Sequence, residues 1–566
     1  MYAELKQVRA EMTGPGAEFE ITRENVRGVP ILTHRNAPRS LRDVWLDTAQ
    51  FAEREYLVYE HQRWTYAEAH AEVASIASWL AEQGVTPGDR VAIAMRNYPE
   101  HMLLYWAITS MGAVVVGMNA WWVGPEMVYG IQDSQPKVVF ADQERLDRLM
   151  EVRDQVPEPL LVGVRMNRPM PQVVSYEQVV RPHGGSLPEV DIDTDDDACI
   201  FYTSGTTGRP KGAQQTHRGC VNNIWNVLFG AASSAQVQIR LGKLTQADLE
   251  AMPIPVTLVT TPLFHVTAMN CGAQPCTVNG GKIVLMYKWD AAEALRLIEV
   301  ERVTGMSGVP VMAREVLAHP DFHRRDTSSL LALAGGGAQV QPDLVAAIEN
   351  GVPTARPGTG YGMTETCGII TSVAGDFFVD RPASAGPQCP TFDVEIRDLD
   401  GKPLPAGEVG EMVVRGAPVI RGYLNRPDAT ADTIRDGWLH TGDLARMDED
   451  GFIYIVDRLK DMVLRGGENV YCAEVESAIF HHGGVAECTV FGVDDERLGE
   501  EVGACVVPKA GVELTADELR RHCAALIAKH KVPRYIWIRD EPLPRNANGK
   551  FLKRELRAQL SSEDAA

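Results

Sequence analysis

Tyr202-Thr203-Ser204-Gly205-Thr206-Thr207-Gly208-Arg209-Pro210-Lys211-Gly212 is the stretch on which the reading of the fold turns. An apolar run at 198–202 leads into it, and a helix is predicted from near Thr216. Hydroxyls and glycines placed between a strand and a helix make a loop whose backbone N–H groups and side chains can wrap phosphate oxygens. Lys211 adds a mobile positive charge for an anionic leaving group. The loop is not a Walker A loop, because Lys211 is followed by Gly212 and the G-x4-G-K spacing is absent. An ordinary solvated turn needs far fewer such residues. A strand, a phosphate loop and a helix in that order mark an α/β protein.

The same grammar extends outward. Residues 67–83 read as an amphipathic helix, followed by the turn Thr86-Pro87-Gly88-Asp89 and a strand at 90–95. Residues 137–141, 282–286 and 329–334 are predicted as buried strands, with helical segments such as 291–301 between them. This is the βαβ pattern of sheets covered by helices on both faces. The polar, helix-prone stretch 231–251 reads as a surface insertion. From 392 to 420 short strands at 393–397, 399–401 and 411–415 alternate with Gly and Pro turns, predicting a β-rich subdomain. Beyond the charged run Asp457-Arg458-Leu459-Lys460-Asp461 lie strands at 486–493 and 502–507 and a helix at 516–530, enough for a small α/β domain. The expected layout is a large N-terminal domain of stacked α/β sheets over 1–457, its β-rich part at about 390–457, and a small mobile C-terminal α/β domain over 458–566.

Composition narrows the class. The 566 residues exceed what one hydrophobic core organises, and apolar (45%) and charged (23%) fractions are those of an ordinary globular protein. A net charge of -21 repels phosphate backbones, so non-specific nucleic-acid binding is not expected. Ten cysteines run from Cys199 to Cys523 without CxxC spacing, and Cys271 and Cys276 have no His partner at finger-like distance. Reduced thiols and a cytoplasmic location are expected. The start, Met1-Tyr2-Ala3-Glu4, lacks the apolar stretch of a signal peptide. Residues 102–123 carry no charge and could span a bilayer, yet Thr109, Ser110, Gly112, Gly117 and Asn119 interrupt them. A buried helix ending near Met111-Gly112 and a strand at 113–116 are expected instead.

Further blocks follow the loop in a fixed order: Pro262-Leu263-Phe264-His265, Gly360-Tyr361-Gly362-Met363-Thr364-Glu365, Gly407-Glu408-Val409-Gly410-Glu411, Arg421-Gly422-Tyr423 and Gly437-Trp438-Leu439-His440-Thr441-Gly442-Asp443. Then come Asp457-Arg458-Leu459-Lys460-Asp461, Gly466-Gly467-Glu468-Asn469 and Pro544-Arg545-Asn546-Ala547-Asn548-Gly549-Lys550. The series resembles the adenylate-forming superfamily of acyl-CoA synthetases, luciferases and non-ribosomal adenylation domains, closest to ligases of fatty or aryl acids. The resemblance covers roughly residues 55–553. It implies activation of a carboxylic acid with MgATP to acyl-AMP and pyrophosphate, then transfer of the acyl group to coenzyme A.

The resemblance also implies roles. Thr203, Ser204, Gly205, Thr206, Thr207, Gly208 and Lys211 hold the β- and γ-phosphates. Tyr361 covers the adenine, beside Gly362, Met363 and the Gly335-Gly336-Gly337-Ala338 backbone. Thr364 touches the α-phosphate and Glu365 holds Mg2+. Asp443 accepts the ribose hydroxyls, with Arg458 beside it. Lys550 bridges the substrate carboxylate and the α-phosphate, because a carboxylate attacking a phosphate brings two anions together. Lys460 is the hinge about which the small domain swings. Gly466 and Gly467 line the pantetheine channel, and His265 is a gate between that channel and the acyl pocket, or else a core histidine. Trp225, Met269, Gly308 and Gly335 are the nominated pocket residues. Gly362 stands where acetate-specific relatives carry a plugging tryptophan, so a medium-to-long-chain or bulky cyclic acid is expected. The alternatives are a stand-alone enzyme loading a carrier protein, a luciferase-like oxygenase and a catalytically silent binder. No carrier module is visible after Lys550, and retention of Lys211, Glu365, Asp443 and Lys550 opposes the last. Oligomeric state is not readable from the chain.

Overall fold

The computed structural model describes residues 1–180, 186–203, 209–466, 468–545 and 551–560. Two compact units divide the chain, residues 1–393 with 415–439, and residues 394–414 with 440–566. The first carries two eight-stranded sheets. In one, Val173–Ser175, Leu160–Val164, Val138–Asp142, Arg90–Ala94, Val114–Gly117 and Asp197–Thr203 lie parallel. Antiparallel Lys211–Thr216 and Gly422–Tyr423 complete its edge. In the other, Glu55–Tyr59, Lys282–Leu285, Val256–Val259, Gly305–Gly308, Ala332–Gly335 and Arg356–Met363 are parallel. Antiparallel Gln62–Thr65 and Gly368–Ala374 flank that set.

Strands such as Val138–Asp142 are buried along their whole length, because parallel strands with both faces covered need continuous apolar runs rather than alternation. Helix Pro99–Ser110 is buried at every residue. It belongs to a core that takes Val91, Ile93 and Val115 from one sheet and Leu57, Val259 and Ile283 from the other. Trp106 stacks on Trp45 at 5.3 Å and donates from its indole to the Tyr56 hydroxyl at 2.8 Å, so its one polar atom is satisfied. The uncharged stretch 102–123 is therefore a helix and the strand Val114–Gly117, as expected. Among the described residues no helix is long and apolar enough to cross a membrane.

The insertion expected at 231–251 is not one. Residues 231–240 finish the 24-residue helix His217–Arg240, and only the short helix Gln246–Glu250 follows. The second half of the long helix looked polar because it buries few of its residues. Ser233 and Val237 are buried, and helix Tyr2–Thr13 packs along the helix that carries them. The Arg9 guanidinium lies 4.9 Å from the Phe229 ring centroid, and Arg240 pairs with Glu11.

The second unit contains a sheet in which Gly499–Pro508 pairs antiparallel with Val485–Asp495 and parallel with Tyr535–Ile538. Val475 and Ile479 of helix Cys472–Phe480 and Leu519 of helix Ala516–Ala524 pack against Val490, Val502 and Ile536. The latter helix stops six residues before the predicted end, and Ile527 and Val532 turn in against the same core. The predicted strand at 399–401 is a turn: the Asp398 carboxylate accepts from the N–H groups of Asp400 and Lys402 at 2.9 and 2.8 Å, and Gly401 has φ 81°. Packing groups residues 394–414 with the C-terminal unit and 415–439 with the first, whereas the sequence puts a junction at 457/458, where charge marks it.

Candidate active site

In the first unit the candidate residues collect at the C-terminal ends of the parallel strands, where open α/β sheets bind ligands. Thr203 ends Asp197–Thr203 and faces Lys211 across the antiparallel pair, its hydroxyl 3.4 Å from the Lys211 carbonyl. Ser204, Gly205, Thr206, Thr207 and Gly208 lie outside the described residues, as do Gly467 and Lys550. The Lys211 ammonium sits 4.2 Å over the ring of Tyr423. The Tyr423 hydroxyl donates to Glu365 Oε1 at 2.7 Å, and the N–H of Ile420 donates to the Glu365 carbonyl at 3.0 Å. Burial and the Glu365 carboxylate push the Tyr423 phenol well above its ordinary range, so it stays protonated and remains a donor.

Thr364 and Glu365 sit on a one-turn helix, Thr364–Thr366, held from below by an amide network that the sequence did not reveal. Gln215, fully buried, donates to the Thr364 carbonyl at 2.9 Å and accepts from Asn270 Nδ2 at 2.9 Å. The same Asn270 nitrogen donates to the Cys367 carbonyl at 2.9 Å. Asn223 donates to the Asn270 carbonyl at 2.8 Å and accepts from the N–H of Ile369 at 3.0 Å. Removing one such amide strands its buried partner, at a cost of about 1–3 kcal/mol.

The glycines correct one expectation. At Gly362 a Cβ would fall 1.8 Å from the Gly368 carbonyl oxygen, because a register shift between Tyr361 and Gly362 brings Gly368–Ala374 against it. The missing side chain therefore opens no space. A Cβ at Gly308 would meet the Thr260 hydroxyl at 2.6 Å and the Met312 sulfur at 2.7 Å, and one at Gly335 would meet Val340 at 2.4 Å. These glycines mark close packing rather than an empty acyl pocket. Gly336, by contrast, has only a Thr267 methyl within reach, at 3.8 Å, and Gly337 has φ 74° and stands exposed beside Ala338.

His265 is half-buried, its Nδ1 3.1 Å from the Thr267 hydroxyl, on a turn clamped by Asn97. Asn97 donates to the Thr261 carbonyl and accepts from the N–H of Leu263, both at 2.9 Å. Trp225 is partly buried on the long helix. Met269 is 0% exposed and packs within the main core.

In the second unit Asp443 is buried beside Arg458, whose Nε lies 3.4 Å from its carboxylate across the strand pair. Glu411 accepts from the N–H of Gly442 at 3.2 Å and contacts His440 Nδ1 at 2.8 Å, joining two motif blocks. Lys460 is exposed, and Gly466 has φ 59° with its N–H on the Leu498 carbonyl at 2.8 Å. Next to the hinge block, the buried Asp457 carboxylate accepts from the N–H groups of Arg458 and Cys472. Burial pushes it up to about 6 against the pull of Lys553 and those two donors, while Glu476 adds to the rise. The folded state thus holds a proton that the unfolded chain releases near the ordinary 3.8. The contribution of Asp457 to stability is expected to fall as pH rises from about 4 to about 6 and to level off above that. Thermal unfolding of the parent and Asp457→Asn at pH 4.5 and pH 7 checks this. The variant should show the smaller change, and equal changes would reject the assignment.

The AMP-binding enzyme family matches residues 44–424, and its C-terminal domain matches residues 474–550. The chain is 36% identical over 499 residues to a feruloyl-CoA synthase of an Amycolatopsis species, covering 88% of this chain and 94% of that one. It is 34% identical over 529 residues to a 2-succinylbenzoate–CoA ligase of a Geobacillus species, strain WCH70, covering 92% and 98%. The solved o-succinylbenzoate CoA synthetase of Bacillus subtilis, in complex with its acyl-adenylate intermediate OSB-AMP, superposes with a TM-score of 0.74 at 30% identity, covering 91% and 97%.

Proposed function

This chain belongs to the AMP-binding enzyme family and is an AMP-forming acid–CoA ligase, and from that premise we propose that its acid is aromatic or otherwise bulky and cyclic. One observation carries the proposal: relatives at 34–36% identity over nearly the whole chain are named for feruloyl and succinylbenzoyl acids. The glycine argument for a roomy pocket does not support it, since those positions are packed. An aryl ring buries several methylene equivalents at about 0.8 kcal/mol each, enough for about two decades in kcat/KM over acetate. Rates of AMP release with CoA present, compared for acetate, octanoate, palmitate, benzoate and hydroxycinnamates, test the reading. A hydroxycinnamate or benzoate should come out ahead, and acetate or palmitate in first place would overturn it.

In the proposed first half-reaction a carboxylate oxygen attacks the α-phosphorus of ATP and pyrophosphate leaves. Thr203 and residues 204–208 wrap the β- and γ-phosphates, with Lys211 neutralising the leaving charge. Tyr361 stacks on the adenine, with Gly336, Gly337, Ala338, Gly362 and Met363 around it, and Thr364 reaches the α-phosphate. The buried Glu365 carboxylate is an anionic oxygen donor, which suits Mg2+ held jointly with phosphate oxygens. Bound there, Mg2+ would supply charge neutralisation on the phosphates. In the second half-reaction the CoA thiol attacks the acyl carbon, loses its proton, and AMP leaves. We assign Asp443 and Arg458 to the ribose, Lys550 to the first step, Lys460 to the pivot of a 458–566 domain, Gly466 and Gly467 to the pantetheine channel and His265 to its gate. We place the enzyme in the cytoplasm, where its ten free thiols persist reduced.

A further inference from the structure

Tyr423 has no part in the roles assigned so far, yet it touches two of their central groups. Its backbone is fixed on the strand that begins at Lys211: Ala213 and Tyr423 are register partners, and the Tyr423 N–H donates to the Thr430 hydroxyl at 2.9 Å. From that anchor the side chain reaches to the turn at the end of the second sheet. Its hydroxyl engages Glu365 Oε1 at 2.7 Å, while its ring face carries the Lys211 ammonium at 4.2 Å. The segment also holds Glu365 through its backbone, by the bond from the Ile420 N–H at 3.0 Å. A hydrogen bond from the phenol at 2.7 Å fixes one carboxylate oxygen in direction.

We propose that Tyr423 is a positioning residue for adenylate formation, orienting the metal-holding carboxylate of Glu365 through its hydroxyl. This rests on the reading of Glu365 as the Mg2+ residue. The ring contact with Lys211 is independent of the hydroxyl, so Tyr423→Phe separates the two functions and preserves the packing of Ala213, Ile420 and Tyr423. A merely structural tyrosine would lower thermal stability and leave the metal requirement alone.

Acid-dependent ATP–pyrophosphate exchange, followed as free Mg2+ is varied at fixed ATP, tests the proposal on the full chain. Tyr423→Phe is expected to raise the half-saturating Mg2+ concentration about three- to tenfold, the equivalent of one lost hydrogen bond of ordinary net strength. The rate at saturating Mg2+ should stay within about twofold of the parent, because the carboxylate itself remains. Glu365→Gln, measured alongside, should shift the Mg2+ dependence further. If Glu365→Gln leaves that dependence unchanged, the metal reading itself fails. If Glu365→Gln shifts it and Tyr423→Phe does not, the positioning role is wrong. A Tyr423→Phe enzyme with a lowered unfolding temperature and an unshifted Mg2+ curve would likewise reduce the tyrosine to a packing residue.

Discussion

Replacing Lys550 by alanine is expected to slow acyl-AMP formation by two to three decades, about 3–4 kcal/mol, and to leave thioester formation from supplied acyl-adenylate nearly intact. The motive is electrostatic. The first step drives a carboxylate against a triphosphate, and no protein nucleophile is needed because the substrate brings its own oxygen. A single cation that reaches both anions in the transition state carries much of the barrier reduction. The thiol attack in the second step starts from a neutral acyl carbon and makes no such demand. Residues that flank the 546–550 segment are well fixed. Arg545 and Phe551 form a β-bridge, and the Arg545 guanidinium lies 4.0 Å over the Phe551 ring. Arg545 also pairs with Glu487 at 2.9 Å and Lys553 with Glu476 at 2.9 Å. An alanine at 550 removes none of these contacts. Single-turnover measurement of the two half-reactions decides the matter. Equal losses in both, or none in the first, would reject the role of Lys550.

The parallel strands were legible because burial on both faces demands unbroken apolar runs, and 137–141 and 282–286 supply them. The motif blocks were legible because each is contiguous. What escaped was everything that depends on pairs distant in sequence. Gln215 finds the Thr364 carbonyl across 149 positions and Asn270 finds Cys367 across 97. Nothing local in an amide's neighbours says which carbonyl it will meet. Tyr423 stood in a quoted block, yet its partners Glu365 and Lys211 lie in two other blocks, and only the folded strands bring the three together. The stretch 231–251 misled for a different reason: a helix that buries one narrow stripe reads as polar until the element covering that stripe is known, and here that element is the helix Tyr2–Thr13.

Gly362 shows the same limit most sharply, and it yields the second large effect. From sequence alone, a glycine where acetate-specific relatives are expected to carry a tryptophan means an absent plug and a larger pocket. In the fold the direction a Cβ would take is filled by backbone: the Gly368 carbonyl oxygen at 1.8 Å, its carbon at 2.7 Å and the Ile369 Cα at 2.8 Å. Backbone cannot rotate away as a flexible side chain can, so Gly362→Ala must pull Gly368–Ala374 off Arg356–Met363. That pairing carries Tyr361 and Met363 at one end, and the Thr364-Glu365 turn follows directly. A loss of about 3 kcal/mol in stability is expected, together with loss of adenylate formation. Gly336→Ala is the control for stability, since its Cβ would meet only a methyl at 3.8 Å, an ordinary contact. Urea unfolding of the parent and both variants measures the difference. Gly362→Trp, by the same geometry, should fail to fold rather than acquire a preference for acetate. If Gly362→Ala unfolds at the parent's urea concentration, the strand pair yields easily and a side chain fits there after all.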